Sequence, residues 1–82
     1  MEVQRGQIMR SLAGHDKDDF QVVIKLDGLF AYMADGKRRK LENPKKKKLK
    51  HLASTGAVLS EKSLSTNRQI RIALTEFREH TT

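Results

Sequence analysis

Between Phe20 and Asp27 the chain alternates: Phe20, Val22, Ile24 and Leu26 fall on one parity, Gln21, Val23, Lys25 and Asp27 on the other. A period of two, rich in β-branched residues, predicts a strand. Asp27-Gly28 follows, a dipeptide suited to a type I′ hairpin turn, in which both central residues take positive φ. Leu29 to Ala34 is the return strand, closed by a second Asp-Gly at Asp35-Gly36. Upstream, Ile8 to Ala13 is short and partly apolar; it ends at Gly14, and His15 to Asp19 form a polar loop. Lys37 to Leu41 is expected to be a further strand, or an extension of the previous one, with one face carried by charge. Pro44 fixes its own φ and biases Asn43 away from the helical region, so Glu42-Asn43-Pro44 is a turn. Lys45 to Lys48 then lies on a loop, and Leu49 to Leu52 alternates again as a closing strand. Four or five short strands over residues 1–52 predict a small antiparallel barrel rather than a sandwich.

After Leu52 the pattern changes. Residues 53–65 are rich in Ser, Thr and Gly with little periodicity, and read as a linker. Thr66-Asn67-Arg68-Gln69 has the form of a capping box, with Thr66 as N-cap and Gln69 at the third helical position. Ile70, Ala73, Leu74 and Phe77 recur at helical spacing, predicting a helix from Asn67 to Glu79 within a C-terminal segment of residues 66–82. A helix this short is marginal alone in water, so its apolar stripe must dock, and the barrel is the nearest surface. The expected class is mainly β, with one C-terminal α-helix.

Charge sharpens this picture. The 82 residues carry a net charge of +7, but residues 1–36 hold four Lys/Arg against six acids, and residues 53–82 hold four against three. Residues 37–52 hold nine Lys/Arg against Glu42 alone, so one segment supplies the whole excess. Such a concentration makes a local positive potential that attracts polyanions. Its members are Lys37, Arg38, Arg39 and Lys40, then Lys45, Lys46, Lys47 and Lys48, then Lys50. On a strand only alternate cations of the first tetrad would share a face, whereas the lysine run on a loop can turn every ammonium outward. Lysine suits sequence-blind phosphate contact; Arg38 and Arg39 can fork onto phosphate or stack on a base.

Other chemistry is sparse. There is no cysteine, hence no disulfide or thiolate metal site. His15, His51 and His80 lack metal-ligand spacing, and Asp16-Lys17-Asp18-Asp19 begins like a calcium loop without the glycine and glutamate such a loop requires. No nucleophile–base arrangement or glycine-rich phosphate loop is present, so neither an enzyme nor a cofactor is expected. No apolar run approaches the roughly 20 residues of a membrane span, and no basic head with an apolar stretch marks a secretory signal, which predicts a soluble, cytoplasmic protein. Of the four aromatics, Phe77 is the helix's docking residue, and Phe20, Phe30 and Tyr32 are expected in the core, with Tyr32 keeping one end wet; the alternative is that Phe30 or Tyr32 is a base-stacking platform.

The stretch from Gly6 to Val23, with Gly6-Gln7-Ile8, the central Gly14 and the Phe20-Val22-Val23 strand, resembles a KOW motif, a strand–loop–strand unit of ribosomal proteins and transcription elongation factors. Ala34-Asp35-Gly36-Lys37, Leu41-Glu42-Asn43-Pro44-Lys45-Lys46-Lys47 and Leu49-Lys50-His51-Leu52 are more narrowly similar to the small bacterial KOW-domain RNA-binding proteins. Those in turn are similar to an archaeal and eukaryotic large-subunit ribosomal protein family with an SH3-like barrel. The resemblance implies an SH3-like barrel over residues 1–52 and binding of ribosomal-type RNA. The chain is expected to be a monomer when free, with ribosomal proteins as a second class of partner. Gly14, His15 and Lys17 match the KOW loop and would add RNA contacts. One departure is Asp18-Asp19, where the family carries a second glycine and a more basic loop; two carboxylates there shift the phosphate contact toward the lysine run. A protein-interaction module of the transcription and translation machinery and a non-specific nucleic-acid binder remain as alternatives.

Overall fold

A computed structural model of the chain describes residues 3–80. Five antiparallel strands form one sheet: β1 Gln7–Ser11, β2 Phe20–Asp27, β3 Phe30–Ala34, β4 Lys45–Lys48 and β5 Leu52–Val58. Their order is β4-β3-β2-β1-β5, so four strands meander and the fifth returns to pair with the first. A 3-10 helix, Leu49–His51, turns the chain from β4 into β5; a second, Lys62–Leu64, leads into helix α1, Asn67–His80. The expected class, a small antiparallel barrel of SH3-like form with one C-terminal helix, is the observed one. The sheet curls so tightly that the Lys47 ammonium on β4 donates to Ser11 Oγ on β1 at 2.6 Å, although β3 and β2 lie between them in the sheet.

The alternation of β2 persists with one interruption. Val22 pairs with Ala34 and Val23 with Met33; the register then slips, and Lys25 pairs with Tyr32. This bulge at Ile24 lets Ile24 and Lys25 share the outer face, Ile24 against the helix-side core and Lys25 beside Tyr32. Strict alternation would instead have turned Lys25 into the closed interior. The Ile24 carbonyl accepts a hydrogen bond from the Arg5 guanidinium at 2.6 Å, and Arg5 is held by Glu61 at 2.9 Å. The hydrogen bond and charge of Arg5 keep the Glu61 carboxyl below its ordinary value.

Both sheet faces bury apolar side chains. Outside, Ile8, Val22 and Ala34 meet Leu64 and the helix residues Ile70 and Leu74, with the Phe20 and Phe77 rings edge to face at 5.2 Å. Fully burying an Ile or Leu side chain is worth about 1.5–3 kcal/mol, which fixes the short helix in place. Thr66 caps it as the sequence predicts, its Oγ1 accepting the Gln69 N–H at 3.1 Å. Inside, Met9, Val23, Ala31, Met33 and Leu52 close the barrel.

The structure departs from the pattern-based expectations in three places. Residues 53–58 are not a linker: they belong to β5, where Ser11 pairs with Leu52, Arg10 with Ala53 and Met9 with Ser54. Small polar residues suffice there because β5 is an edge strand, and Thr55 Oγ1 donates to the Ile8 carbonyl at 2.8 Å. The β2–β3 turn is not type I′: Asp27 pairs with Phe30, which leaves Gly28-Leu29 as the turn, and only Gly28 has positive φ. Third, the two basic tetrads exchange roles. Lys37–Lys40, expected on a strand, form a turn, and Lys45–Lys48, expected on a loop, are strand β4. Asp35 causes the first change, because its Oδ1 accepts the N–H groups of Lys37 and Arg39, both at 2.9 Å, which wraps the chain away from the ladder. Leu49 to His51 is correspondingly a 3-10 turn, and the closing strand starts only at Leu52.

Candidate nucleic-acid interface

Strand geometry sorts the four lysines of β4. Lys45, Lys46, Lys47 and Lys48 pair with Met33, Tyr32, Ala31 and Phe30 respectively. Lys46 and Lys48 therefore share the outer face with Tyr32 and Phe30, and both are exposed. Lys47 points inward with Ala31. It is only 8% exposed, and its ammonium lies 2.6 Å from Ser11 Oγ and 3.3 Å from the Asp16 carboxylate. Lys45 is half-buried on the same parity. Lys47, expected among the phosphate contacts, is instead an interior tie; the alternation anticipated for the first tetrad applies to the second.

The turn of Lys37–Lys40 is sorted by position rather than by period. Lys37, Arg38 and Lys40 are exposed, while Arg39 is half-buried with its guanidinium 3.4 Å from the same Asp16 carboxylate. Arg39 too is thus turned from the surface. Helix α1 holds this turn: the Arg71 guanidinium donates to the Gly36 carbonyl at 2.7 Å, Asn67 Oδ1 accepts the Leu41 N–H at 2.8 Å, and Asn67 Nδ2 donates to Glu42 at 2.7 Å. Gly36 is required, since its φ is +78° and a Cβ would fall on the Asn67 carbonyl oxygen.

Asp16 sits in the β1–β2 loop and is 1% exposed. Burial pushes its carboxyl up, but the hydrogen bond from Lys47 and the charges of Lys47 and Arg39 outweigh that, and it is held below its ordinary value. The loop's remaining candidates, Gly14, His15 and Lys17, are all exposed. Asp18 is paired with Arg10 at 3.3 Å, so one carboxylate of the acidic pair is offset locally. Asp19 lines a hollow of about 460 Å³ with Asp35, Lys37 and Arg71, beside the helix.

Between the Ala13–His15 loop and β4 runs a cleft of about 390 Å³, with Phe30 and His51 also in its lining. Gly14, His15, Lys45, Lys46, Lys48 and the inward Lys47 are brought together there, and Lys50 follows in the exposed 3-10 turn beside Phe30 and Lys48. Lys37, Arg38 and Lys40 belong to the separate turn under α1.

Phe30 and Tyr32 depart from the core expectation and leave the alternative, an exposed aromatic face, with Tyr32 keeping one end wet as expected. Both are half-exposed and belong to neither core cluster, whereas their neighbours Ala31 and Met33 are buried. The Lys46 ammonium stands 4.5 Å from the Phe30 ring centre and 5.9 Å from that of Tyr32, and Lys25 lies 5.9 Å from Tyr32. The period of β3 carried the signal: residues flanking buried Ala31 and Met33 must face the other way. Nothing in the sequence marks Asp16 as an anchor or Lys25 as part of this face.

Among the described residues no helix is long and apolar enough to cross a membrane. No family model matches the chain, and no curated protein matches it.

Proposed function

We propose that the protein is a monomeric, cytoplasmic RNA-binding protein, without a catalytic step, that takes ribosomal-type RNA. Lys45, Lys46, Lys48 and Lys50 hold the phosphate backbone, aided by Gly14 and His15 across the cleft and by Lys17 of the same exposed loop, while Lys37, Arg38 and Lys40 supply a second contact. One observation carries the reading. After Asp16 has taken Lys47 and Arg39, seven of the nine cations remain, six of them exposed and Lys45 half-buried, and among the described residues only Lys46 of these seven has an acidic partner, Asp27 at 4.0 Å. Solvated cations without carboxylate partners are free to displace the counterions of a polyphosphate. The preference for RNA over other polyanions is supported by the resemblance to KOW-domain ribosomal and RNA-binding proteins.

Fluorescence anisotropy with labelled RNA over a salt series tests this. Four phosphate contacts give log K against log salt a slope near −3 on a single strand, at about −0.7 per contact. The double variant Lys46→Glu, Lys48→Glu should weaken binding while the thermal melt stays nearly unchanged. A flat salt response would instead indicate a protein-interaction module, and equal affinity for matched RNA and DNA hairpins would indicate a non-specific binder.

A further inference from the structure

We propose that the outer face of β3 and β4 is a stacking platform for unpaired bases, so that the RNA is single-stranded where it meets Phe30 and Tyr32. The inference rests on the RNA reading above and adds the conformation of the ligand. A chain of 82 residues with four aromatics has reason to bury them all, and Phe20 and Phe77 are packed against each other in the helix-side core. Phe30 and Tyr32 are left half-exposed outside both cores, on successive same-face positions of one strand. Helix α1 covers the outer face over Ile8, Val22 and Ala34, and neither ring packs in that core.

The spacing selects the ligand. Same-face positions on a strand lie about 6.6–6.8 Å apart, roughly twice the 3.4 Å between neighbouring stacked bases. Bases still stacked in a duplex cannot each lie on one ring; bases of an extended strand can. A duplex also hides base faces, whereas single strands offer them. The surrounding charge fits the same strand: Lys25, Lys46 and Lys48 flank the rings, with Asp27 as the opposing carboxylate beside Lys46. Lys46 now covers the Phe30 face, and its flexible stem lets the ammonium swing to a phosphate as a base takes its place. Leu29, 79% exposed at the turn beside Phe30, extends the apolar surface.

Tyr32 is the only tyrosine and there is no tryptophan, so tyrosine emission reports this face alone. An unstructured oligouridylate should quench that emission, after correction for nucleotide absorbance, and a blunt RNA duplex should not. Phe30→Leu, and separately Tyr32→Leu, should weaken oligouridylate binding by at least about fivefold, with duplex binding changed less than twofold. Single-strand binding that leaves the emission of the unaltered protein unchanged would overturn the platform, as would an equal loss on both RNAs in the variants. Failure to bind either RNA at low salt would overturn the RNA reading itself, and the platform with it.

Discussion

Two runs of four cations lie four residues apart, and the fold treats them by different rules with the same outcome. In Lys45–Lys48 a strand's period sends Lys47 inward and Lys46 and Lys48 outward. In Lys37–Lys40 a turn built on Asp35 and clamped by α1 sends Arg39 inward and leaves Lys37, Arg38 and Lys40 in solvent. Each run gives up one cation, and both cations go to the carboxylate of Asp16. A basic run is therefore not a uniform binding surface: part of its charge holds the fold, and backbone geometry decides which part.

Removing the shared partner breaks the comparison most severely. Asp16→Ala leaves the Lys47 ammonium buried with Ser11 as its remaining partner, and loss of one member of a buried ion pair costs about 3–5 kcal/mol. Urea denaturation should show a loss of that size. The unaltered protein carries a matching pH signature. The carboxyl of Asp16 is depressed in the folded state, so its contribution is complete above its unfolded value, near 3.9, and is lost as pH falls through the lower folded value. Stability should therefore decline below about pH 4 more steeply in the unaltered protein than in the variant.

The turn run depends on a close approach that the strand run lacks. Gly36→Ala must both adopt positive φ and displace the Asn67 carbonyl, and should cost more than about 2 kcal/mol in a thermal melt. Gly14→Ala has a similar φ of +82° but open space around it, so it should cost only the backbone strain of about 1–2 kcal/mol. Equal losses at the two glycines would remove the helix from its role as clamp.

The finest test lies inside β4. Lys47→Met should cost about 1–2 kcal/mol of stability, because Arg39 still serves Asp16, and should leave RNA affinity within about twofold. Lys46→Met should do the reverse, sparing the melt and reducing the salt slope of RNA binding by about 0.7–0.9. If the two variants behave alike, the inward and outward sorting of β4 has no functional meaning.

Much of the fold was legible in the sequence because its signals are contrasts. The β2 alternation, the Gly28 and Gly36 turns, the Thr66 cap and the stripe of Ile70, Leu74 and Phe77 all set apolar against polar or glycine against its neighbours, and all are present. Where contrast vanishes, so does legibility. Four identical lysines have a period of two that no pattern displays, and Ala53-Ser54-Thr55-Gly56 offers too little apolar mass to mark β5. The candidate site was legible as a location, residues 37–50, but not in its sorting. That depends on one aspartate in a loop of four charged residues, distant in sequence from both partners. The aromatic face is legible only as the second choice for Phe30 and Tyr32, because the expectation that a small barrel buries every ring outweighs the parity of β3.

One feature of the topology reaches beyond ligand binding. β4 is an outermost strand, and an outermost strand presents unpaired backbone groups to any passing chain. Here that rim is made entirely of lysine. Docking a second copy β4 to β4 would set the exposed Lys46 and Lys48 of one molecule close to those of the other, and like charges set opposite each other oppose pairing. The strand proposed to hold a polyanion thus resists pairing with its own copy.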